Sequence, residues 1–169
     1  AAVANGLTAE PWTRPAGSAA HARRAAGFVV WSQVEAGHLC PVSMTYAVTP
    51  ALRANPVLHA AWGGKLAGTA YDPRDVPFEQ KAAVTMGMGM TEKQGGSDVR
   101  ANTTQAEFDG DTPWGRAYRL TGHKWFFSAP MSDAFLVLAK PEPGDGGLSC
   151  LFVPRWCPDG SANPILIQR

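Results

Sequence analysis

The densest group of residues able to do chemistry lies at residues 88–98, where the sequence MGMTEKQGGSD follows a short apolar run. Paired glycines let backbone N–H groups approach an anion or a carbonyl oxygen without an intervening side chain. Thr91 and Ser97 add short hydroxyl donors to the same loop. The loop predicts polar recognition of a ligand, although Gly-Gly-Ser-Asp is equally typical of an ordinary turn.

A second group lies at residues 122–128, where GHKWFFS is typical of a strand with three consecutive aromatic residues and a hydroxyl. Alternation along a strand sends Phe126 and Ser128 to one face and Trp125 and Phe127 to the other. An aromatic ring beside a hydroxyl can stack on a planar ligand and hydrogen-bond to its edge. A core strand with two buried aromatic faces explains the same pattern, and the residues alone favour it.

The elements that must position these groups are predicted to begin with helices. Residues 18–36 are predicted to form one helix, which Gly37 ends. Its predicted buried face comprises Ala22, Ala25, Phe28, Val29 and Ser32. A second helical stretch is expected at residues 41–48, where Pro50 interrupts the pattern, and a shorter one at residues 58–62.

Beyond residue 80, short apolar segments alternate with turn residues, a pattern typical of antiparallel strands. A charged, proline-containing connection at residues 72–80 separates the two kinds of structure. We therefore predict an α+β chain with a helical domain at residues 1–75 and a β-domain at residues 76–169, folded as a sandwich or barrel. The predicted strands are residues 82–90, 101–108, 117–121, 124–128, 135–139, 148–153 and 165–168.

Composition argues against several classes of function. Fifteen Lys and Arg against fourteen Asp and Glu leave a formal charge of +1, which attracts neither nucleic acid nor an anionic membrane. No apolar run approaches the roughly 18 residues of a membrane span. The three cysteines form no CxxC, the four histidines show no metal spacing, and no secretory signal opens the chain. We expect reduced cysteines, no metal site and a cytoplasmic protein.

Both groups of residues resemble motifs of one family. The segment GMTEKQGGSDVRA at residues 89–101 resembles the signature of acyl-CoA dehydrogenases, with its Thr-Glu pair, Gly-Ser-Asp triplet and following small residue. The second group resembles the Gly-x-Lys-x-aromatic-x-hydroxyl segment that comes later in that family. The matching positions are Gly122, Lys124, Phe126 and Ser128. QVEAGHLCP at residues 33–41 narrows the resemblance to the AidB-like branch, the flavoproteins of the bacterial DNA-alkylation response.

The resemblance implies a fold with an N-terminal helical domain, a middle antiparallel β-barrel and a C-terminal helical bundle. This chain would then hold the end of the first domain and an incomplete barrel, with the bundle missing. The family takes its catalytic Glu from that bundle. We therefore expect no catalytic residue in this chain, weak or no FAD binding by it alone, and no turnover.

The resemblance also implies noncovalent FAD as the cofactor. Phe126 matches the aromatic residue that stacks on the isoalloxazine, and Ser128 matches the hydroxyl near flavin N5. Thr91 matches the hydroxyl that hydrogen-bonds to the isoalloxazine. Ser97 matches a hydroxyl near the flavin phosphates or the acyl-CoA, which makes it the expected substrate contact. The other expected cofactor contacts are Met88, Gly89, Met90 and Phe127.

Some positions depart from the family pattern. Many members carry Tyr or Phe at Met88, Pro-Gly at residues 93–94 and Trp at Phe126, so the pocket is expected to differ in shape and polarity. Glu92 belongs to the loop signature and is not the base. Glu35 and Glu107 match no motif and are expected to be solvated or structural.

We therefore expect part of an FAD-dependent acyl-CoA dehydrogenase-like oxidoreductase of the adaptive response to DNA alkylation. It would act on acyl-CoA or a related small molecule and form a homo-oligomer when full length. The alternative is a DNA-associated protective protein whose flavin is largely non-catalytic. Double-stranded DNA would be bound only through the missing C-terminal domain, since the adjacent Arg23 and Arg24 are expected to form a solvated helix face.

Overall fold

The structure is a computed structural model that describes residues 1–142 and 147–168. It divides into two compact units, Ala1–Met86 and Gly87–Arg169. The first is helical and the second is built on a sheet. The predicted order of helices followed by strands is confirmed, whereas the domain boundary at residue 75 stays a prediction.

The helical unit contains helices α1 at Ala20–Ser32, α2 at Leu39–Leu52 and α3 at Pro56–Leu66. Single 3-10 turns lie at Glu10–Thr13 and Phe78–Gln80. None of the helices in the described ranges has both the length and the apolar character needed to span a bilayer.

Helix α1 buries a different face from the predicted one. Phe28 and Trp31 pack against a small apolar cluster near the N-terminus, and Ala20 is buried on the same helix. Val29 is 59% exposed, because adjacent helical residues point about 100° apart and Phe28 already faces inward. The helix ends at Ser32 rather than at residue 36, and no side chain caps its start.

Helix α2 passes through Pro50 instead of ending before it, so the predicted interruption is wrong. A proline has no N–H to donate to the carbonyl four residues earlier, which leaves the Tyr46 oxygen without its helical partner. The indole Nε1 of Trp12 donates to that oxygen at 2.9 Å. A tertiary hydrogen bond therefore replaces the missing helical one.

Helix α3 is defined by its first turn and its buried stripe. Asn55 caps it by accepting the N–H of Leu58 at 3.1 Å, and a proline occupies the first helical position. Leu58, Trp62 and Leu66 recur at four-residue spacing and are buried. Trp62 stacks on Phe78 with ring centroids 4.2 Å apart, which places the core of this unit beside α3.

The sheet unit contains strands β1 at Met86–Gly89, β2 at Gln105–Thr112, β3 at Gly115–Thr121, β4 at Ala134–Glu142 and β5 at Ser149–Pro154. Strand β4 pairs with β1, β2 and β5, while β3 pairs with β2. Because β4 pairs with three strands, its first four residues are all buried.

The sheet is mixed, which corrects the all-antiparallel prediction. Strands β2 and β4 run parallel, with Gln105 opposite Lys140 and Glu107 opposite Glu142. Turn residues predict hairpins only across short connections, as between β2 and β3. The longer connection of residues 122–133 returns the chain in the direction of β2, and turn chemistry does not specify that direction.

Two predicted strands are absent from the described residues, and the sheet there is open rather than closed into a barrel. Residues 165–168 form no strand. Residues 124–128 make only isolated bridges at Lys124 and Ser128. Three aromatic residues in a row favour a strand by propensity, but a left-handed backbone at Phe126 prevents regular pairing.

Candidate functional site

The two sequence motifs lie side by side in the sheet unit. Met88 bridges Ser128 and Glu92 bridges Lys124, both in the antiparallel sense. Between these bridges the N–H of Trp125 donates to the carbonyl of Thr91 at 2.9 Å. The two segments are therefore neighbours in the structure.

Glycines in β1 allow this close approach. A Cβ on Gly89 would lie 2.3 Å from the Phe127 ring, and one on Gly87 would lie 2.6 Å from the Phe135 ring. The two phenyl rings pack on each other with centroids 4.7 Å apart. Phe127 thus packs against the sheet, and its predicted contact with flavin stays a prediction.

Phe126 is displayed on the surface in an unusual conformation. Its side chain is 79% exposed and its φ is +52°, in the left-handed region that residues other than glycine seldom adopt. Trp125 contacts its ring edge-on at 5.9 Å. A strained backbone holding a large aromatic side chain in solvent is typical of a site that meets a ligand.

The two sequence motifs also carry three hydroxyl groups. They belong to Thr91, Ser97 and Ser128. Thr91 is half-buried, whereas Ser97 and Ser128 are exposed. A Cβ on Gly96 would lie 2.8 Å from the Thr91 hydroxyl oxygen, so this glycine keeps the loop close to Thr91. The site offers donors and acceptors to an incoming polar group.

A buried carboxylate fastens the loop to its surroundings. Glu92 is 2% exposed and accepts hydrogen bonds from the Lys124 ammonium at 2.8 Å and the Gln94 amide at 2.9 Å. It also accepts from the backbone N–H groups and hydroxyls of Thr103 and Thr104, at 2.5 to 3.0 Å. Glu92 is therefore a structural hub of the loop.

The same contacts set the charge state of Glu92. Burial by itself raises the pKa of this carboxyl. The hydrogen bonds from Lys124, Thr103, Thr104 and Gln94 outweigh burial and hold the pKa well below its usual range. Glu92 is therefore a carboxylate at neutral pH and has its acceptor positions filled.

Asn102 was not anticipated from the sequence. It is fully buried, and its side-chain amide donates to the carbonyl of Met90 at 2.9 Å. It therefore fixes the peptide that precedes Thr91. Thr103 and Thr104 were not anticipated either. Short polar residues between turns have no sequence signal that distinguishes a hydrogen-bond partner of the loop from an ordinary surface residue.

We expect stability to depend on pH through Glu92. Its folded pKa is lowered, so its contribution is complete above the usual glutamate value of about 4.3 and is lost as pH falls below it. Urea unfolding of the wild type and Glu92→Gln between pH 7 and pH 3 should show a stability difference that shrinks on acidification. A difference that grows would contradict the assignment.

Taking the difference between the wild type and Glu92→Gln removes the contributions of other acidic residues to the pH dependence of stability. Asp72 is one of them, because its hydrogen bonds with Arg74 lower its pKa to about 2. Asp72 is retained in both proteins, so its titration cancels.

Three charged residues singled out in the sequence lie outside this site. Glu35 accepts the backbone N–H groups of Gly37 and His38 in an exposed turn, and Glu107 is exposed on β2. Arg24 corrects the prediction of a solvated arginine pair, since its Nε donates to the Leu7 carbonyl at 2.7 Å and its guanidinium lies 3.7 Å from the Tyr46 ring centroid.

Comparison with known proteins identifies the family. A model of the adaptive response protein AidB N-terminal domain matches residues 1–73, and a model of the acyl-CoA dehydrogenase middle domain matches residues 87–165. The Escherichia coli K12 protein described as putative acyl-CoA dehydrogenase AidB is 52% identical over 159 residues. This alignment covers 94% of the chain and 28% of that protein. The chain belongs to the acyl-CoA dehydrogenase family, in its AidB-like branch.

Solved structures of similar proteins share the fold. The apo form of Bd2924 superposes with a TM-score of 0.79 at 31% identity, covering 96% of this chain and 32% of that one. Caenorhabditis elegans ACDH-11, solved in complex with C11-CoA, superposes with a TM-score of 0.71 at 26% identity, covering 96% and 28%. The chain spans less than a third of the length of each of these relatives.

Proposed function

We propose that this chain supplies part of the FAD-binding site of a flavin-dependent acyl-CoA dehydrogenase-type protein. The observation that carries the proposal is the exposed Phe126 ring, held on a left-handed backbone beside the Thr91 loop. Family membership supports a flavin as the planar group that would cover this ring.

The residues present fit an isoalloxazine. The exposed ring of Phe126 suits stacking on a flat aromatic system. The hydroxyls of Thr91 and Ser128 can donate and accept hydrogen bonds, which suits them to its polar edge. The nearby carboxylate of Glu92 is buried and satisfied, so it does not repel an electron-rich ring.

Each predicted contact then has a role. Phe126 stacks on the isoalloxazine, while Thr91 and Ser128 hydrogen-bond to it. Backbone groups of Met88, Gly89 and Met90 line the same edge. The remaining predicted contacts are Ser97, toward the flavin phosphates or the acyl-CoA, and Phe127, beneath the stacking residue.

The bound flavin would supply the hydride acceptor for oxidation of an acyl thioester. The protein residues contribute positioning. Glu92 and Lys124 hold the loop at its base, and Asn102 fixes the Met90 carbonyl. We assign no catalytic base to the described residues; the buried carboxylate of Glu92, which lies in the loop, already has its acceptor positions filled.

We propose acyl-CoA or a related thioester as the ligand class, because ACDH-11 was solved with C11-CoA. The departures at Met88 and Phe126 favour a pocket that differs from that of ordinary fatty acyl-CoA dehydrogenases. We also propose that the whole protein is a cytoplasmic homo-oligomer.

A role in the adaptive response to DNA alkylation rests on the similarity to AidB. Direct DNA contact by helix α1 is disfavoured, since Arg24 is engaged with Leu7 and Tyr46 and leaves Arg23 as the exposed member of the pair. We therefore propose that any contact with double-stranded DNA involves protein outside this chain.

The test is flavin binding by the full-length protein that contains this chain. We expect the wild type to purify with a flavin absorption spectrum. Phe126→Ala should weaken FAD binding about tenfold or more, because it removes the stacking surface. Titration of the apoprotein with FAD, followed by flavin fluorescence, measures the change.

Two variants serve as controls. Phe126→Tyr retains the ring and should bind FAD nearly as well as the wild type, whereas Trp125→Ala removes the neighbouring ring and should have a smaller effect than Phe126→Ala. A colourless wild type that ignores FAD would overturn the proposal, and so would full affinity in Phe126→Ala.

A further inference from the structure

One arginine holds the turn that follows residues 125–129, which we call the stacking segment. Arg155 lies directly after strand β5, and its guanidinium reaches back to residues 130–132. We propose that Arg155 is a positioning residue for flavin stacking, because it fixes the backbone that presents the Phe126 ring. This role rests on the proposed flavin site and extends it to a residue outside both sequence motifs.

The stacking segment contains two residues in a strained conformation. Phe126 has a φ of +52° and Ala129 a φ of +55°, both in the left-handed region. Ala129 also precedes Pro130, a position at which a residue prefers an extended backbone with a negative φ. Such a conformation persists only where the surrounding structure enforces it. Contacts on both sides of Ala129 are therefore needed to hold the segment.

The turn after the segment is not tied to the sheet by its own hydrogen bond. The bridge between Ser128 and Met88 connects the segment to β1. Beyond that bridge, the N–H of Ser132 donates to the Ala129 carbonyl at 3.0 Å and closes a turn over residues 129–132. Because both partners of this bond lie inside the turn, it does not fix the position of the turn in the sheet unit.

Arg155 makes that connection with two donors. Its Nε donates to the Ser132 carbonyl at 3.0 Å, and its Nη2 donates to the Pro130 carbonyl. A planar guanidinium directs its N–H groups in a rigid fork, so it holds two acceptors at a fixed separation. The carbonyls on either side of Met131 are thereby fixed, and with them the path of the backbone that leaves Ala129.

Arg155 also supports the segment through aromatic rings. Its guanidinium carbon lies 5.7 Å from the centroid of the Phe135 ring, and Phe135 packs on Phe127 with centroids 4.7 Å apart. Phe127 is the direct neighbour of Phe126 in the chain. Arg155 therefore acts on the segment both through the backbone that follows it and through the ring next to Phe126.

The backbone of Arg155 is itself held by the sheet unit. Its N–H donates to the Asp133 carbonyl at 2.9 Å, and its carbonyl accepts the N–H of Asn163 at 2.9 Å. The preceding residue, Pro154, lies opposite Ala134 in the pairing of β4 with β5. A segment fixed in advance loses less conformational entropy when a ligand binds. We therefore expect Arg155 to raise the affinity for FAD without touching it.

The test measures FAD binding by the full-length protein that contains this chain. Arg155→Met keeps much of the apolar stem but removes the donors, and it should weaken FAD binding about threefold to tenfold. Arg155→Lys keeps the charge without the planar fork, so its Kd should lie between those of the wild type and Arg155→Met. Arg119→Met removes an exposed guanidinium from the same unit and should bind FAD like the wild type. Titration of each apoprotein, followed by flavin fluorescence, gives the Kd.

A double variant shows whether Arg155 acts through Phe126. In the protein that carries Phe126→Ala, adding Arg155→Met should raise the Kd by less than about twofold, because the ring that Arg155 positions is already absent. A general loss of structure would instead weaken FAD binding equally with and without the Phe126 ring.

Hydrogen exchange of the apoprotein provides a readout that does not involve flavin. Arg155→Met should speed exchange severalfold at the amides of residues 125–132, while the amides of β4 keep their protection. Should circular dichroism show that Arg155→Met does not fold, Arg155→Lys takes its place in both measurements.

The outcomes separate this role from the flavin site on which it rests. A wild type that does not bind FAD, or full affinity in Phe126→Ala, would overturn the proposed site and this role with it. With the site intact, three results would overturn the role of Arg155 alone. They are wild-type FAD affinity in the Arg155 variants, additive effects of Arg155→Met and Phe126→Ala, and unchanged hydrogen exchange at residues 125–132.

Discussion

Replacing Lys124 by methionine is expected to lower the free energy of unfolding by about 3–5 kcal/mol. Methionine keeps much of the apolar stem but removes the ammonium that lies 2.8 Å from Glu92. The side chains of Lys124 and Glu92 are 8% and 2% exposed, so water cannot replace the lost partner. Urea unfolding at pH 7, monitored by circular dichroism, measures the loss.

An exposed ion pair in the same unit provides the matched control. Arg119 lies 3.1 Å from Asp109, with both side chains more than half exposed. Arg119→Met should therefore cost only about 0–1 kcal/mol. Similar losses at the two sites would refute the hub role of Glu92.

A double variant tests the coupling between the two partners. The protein that carries both Lys124→Met and Glu92→Gln should lose less stability than the sum of the single changes. Each single change leaves the other partner as an unpaired buried charge, whereas the double change removes both charges. Strict additivity would show that Lys124 acts through packing alone.

Placing valine at Gly89 is expected to destabilise the sheet unit by about 3 kcal/mol. A Cβ at this position would lie 2.3 Å and 2.9 Å from two atoms of the Phe127 ring and 3.3 Å from the Lys124 side chain. Valine has a higher strand propensity than glycine, and propensity alone would make the substitution stabilising. The loss therefore reports on the packing of residues 124–128 against β1, and thermal and urea unfolding both measure it.

Gly64→Ala serves as the counterpart in helix α3. Open space surrounds that position, and alanine is a better helix former than glycine, so we expect stability to rise by about 0.5–1 kcal/mol. A tolerated Gly89→Val would mean that Phe127 does not occupy the space above β1.

Much of the fold follows from local patterns. Leu58, Trp62 and Leu66 recur at helical spacing, which predicts the buried face of α3. Strand β4 begins with a short apolar run, which predicts a buried strand. The neighbouring positions of the two motifs were predictable from the family resemblance, because related sequences conserve spatial relations that spacing alone does not encode.

What could not be predicted depends on contacts between distant residues. Phe126 has a strong strand propensity, and nothing in its neighbours announces a positive φ. Pro50 marks a helix end unless Trp12 supplies the missing donor. The sequence around Arg24 predicts a surface charge, because its contacts with the Leu7 carbonyl and the Tyr46 ring form only in the folded protein. Tertiary structure overrides propensity in each case.

The bond from Trp12 to the Tyr46 carbonyl has an evolutionary consequence. A homologue that replaces Pro50 with another residue regains the N–H that this carbonyl accepts within the helix. The indole N–H is then no longer needed as a donor, and position 12 is constrained only by ring contacts such as the stacking on Tyr46. Selection for a donor at position 12 should therefore relax in homologues that lack a proline at position 50, although 37 residues of chain lie between the two positions.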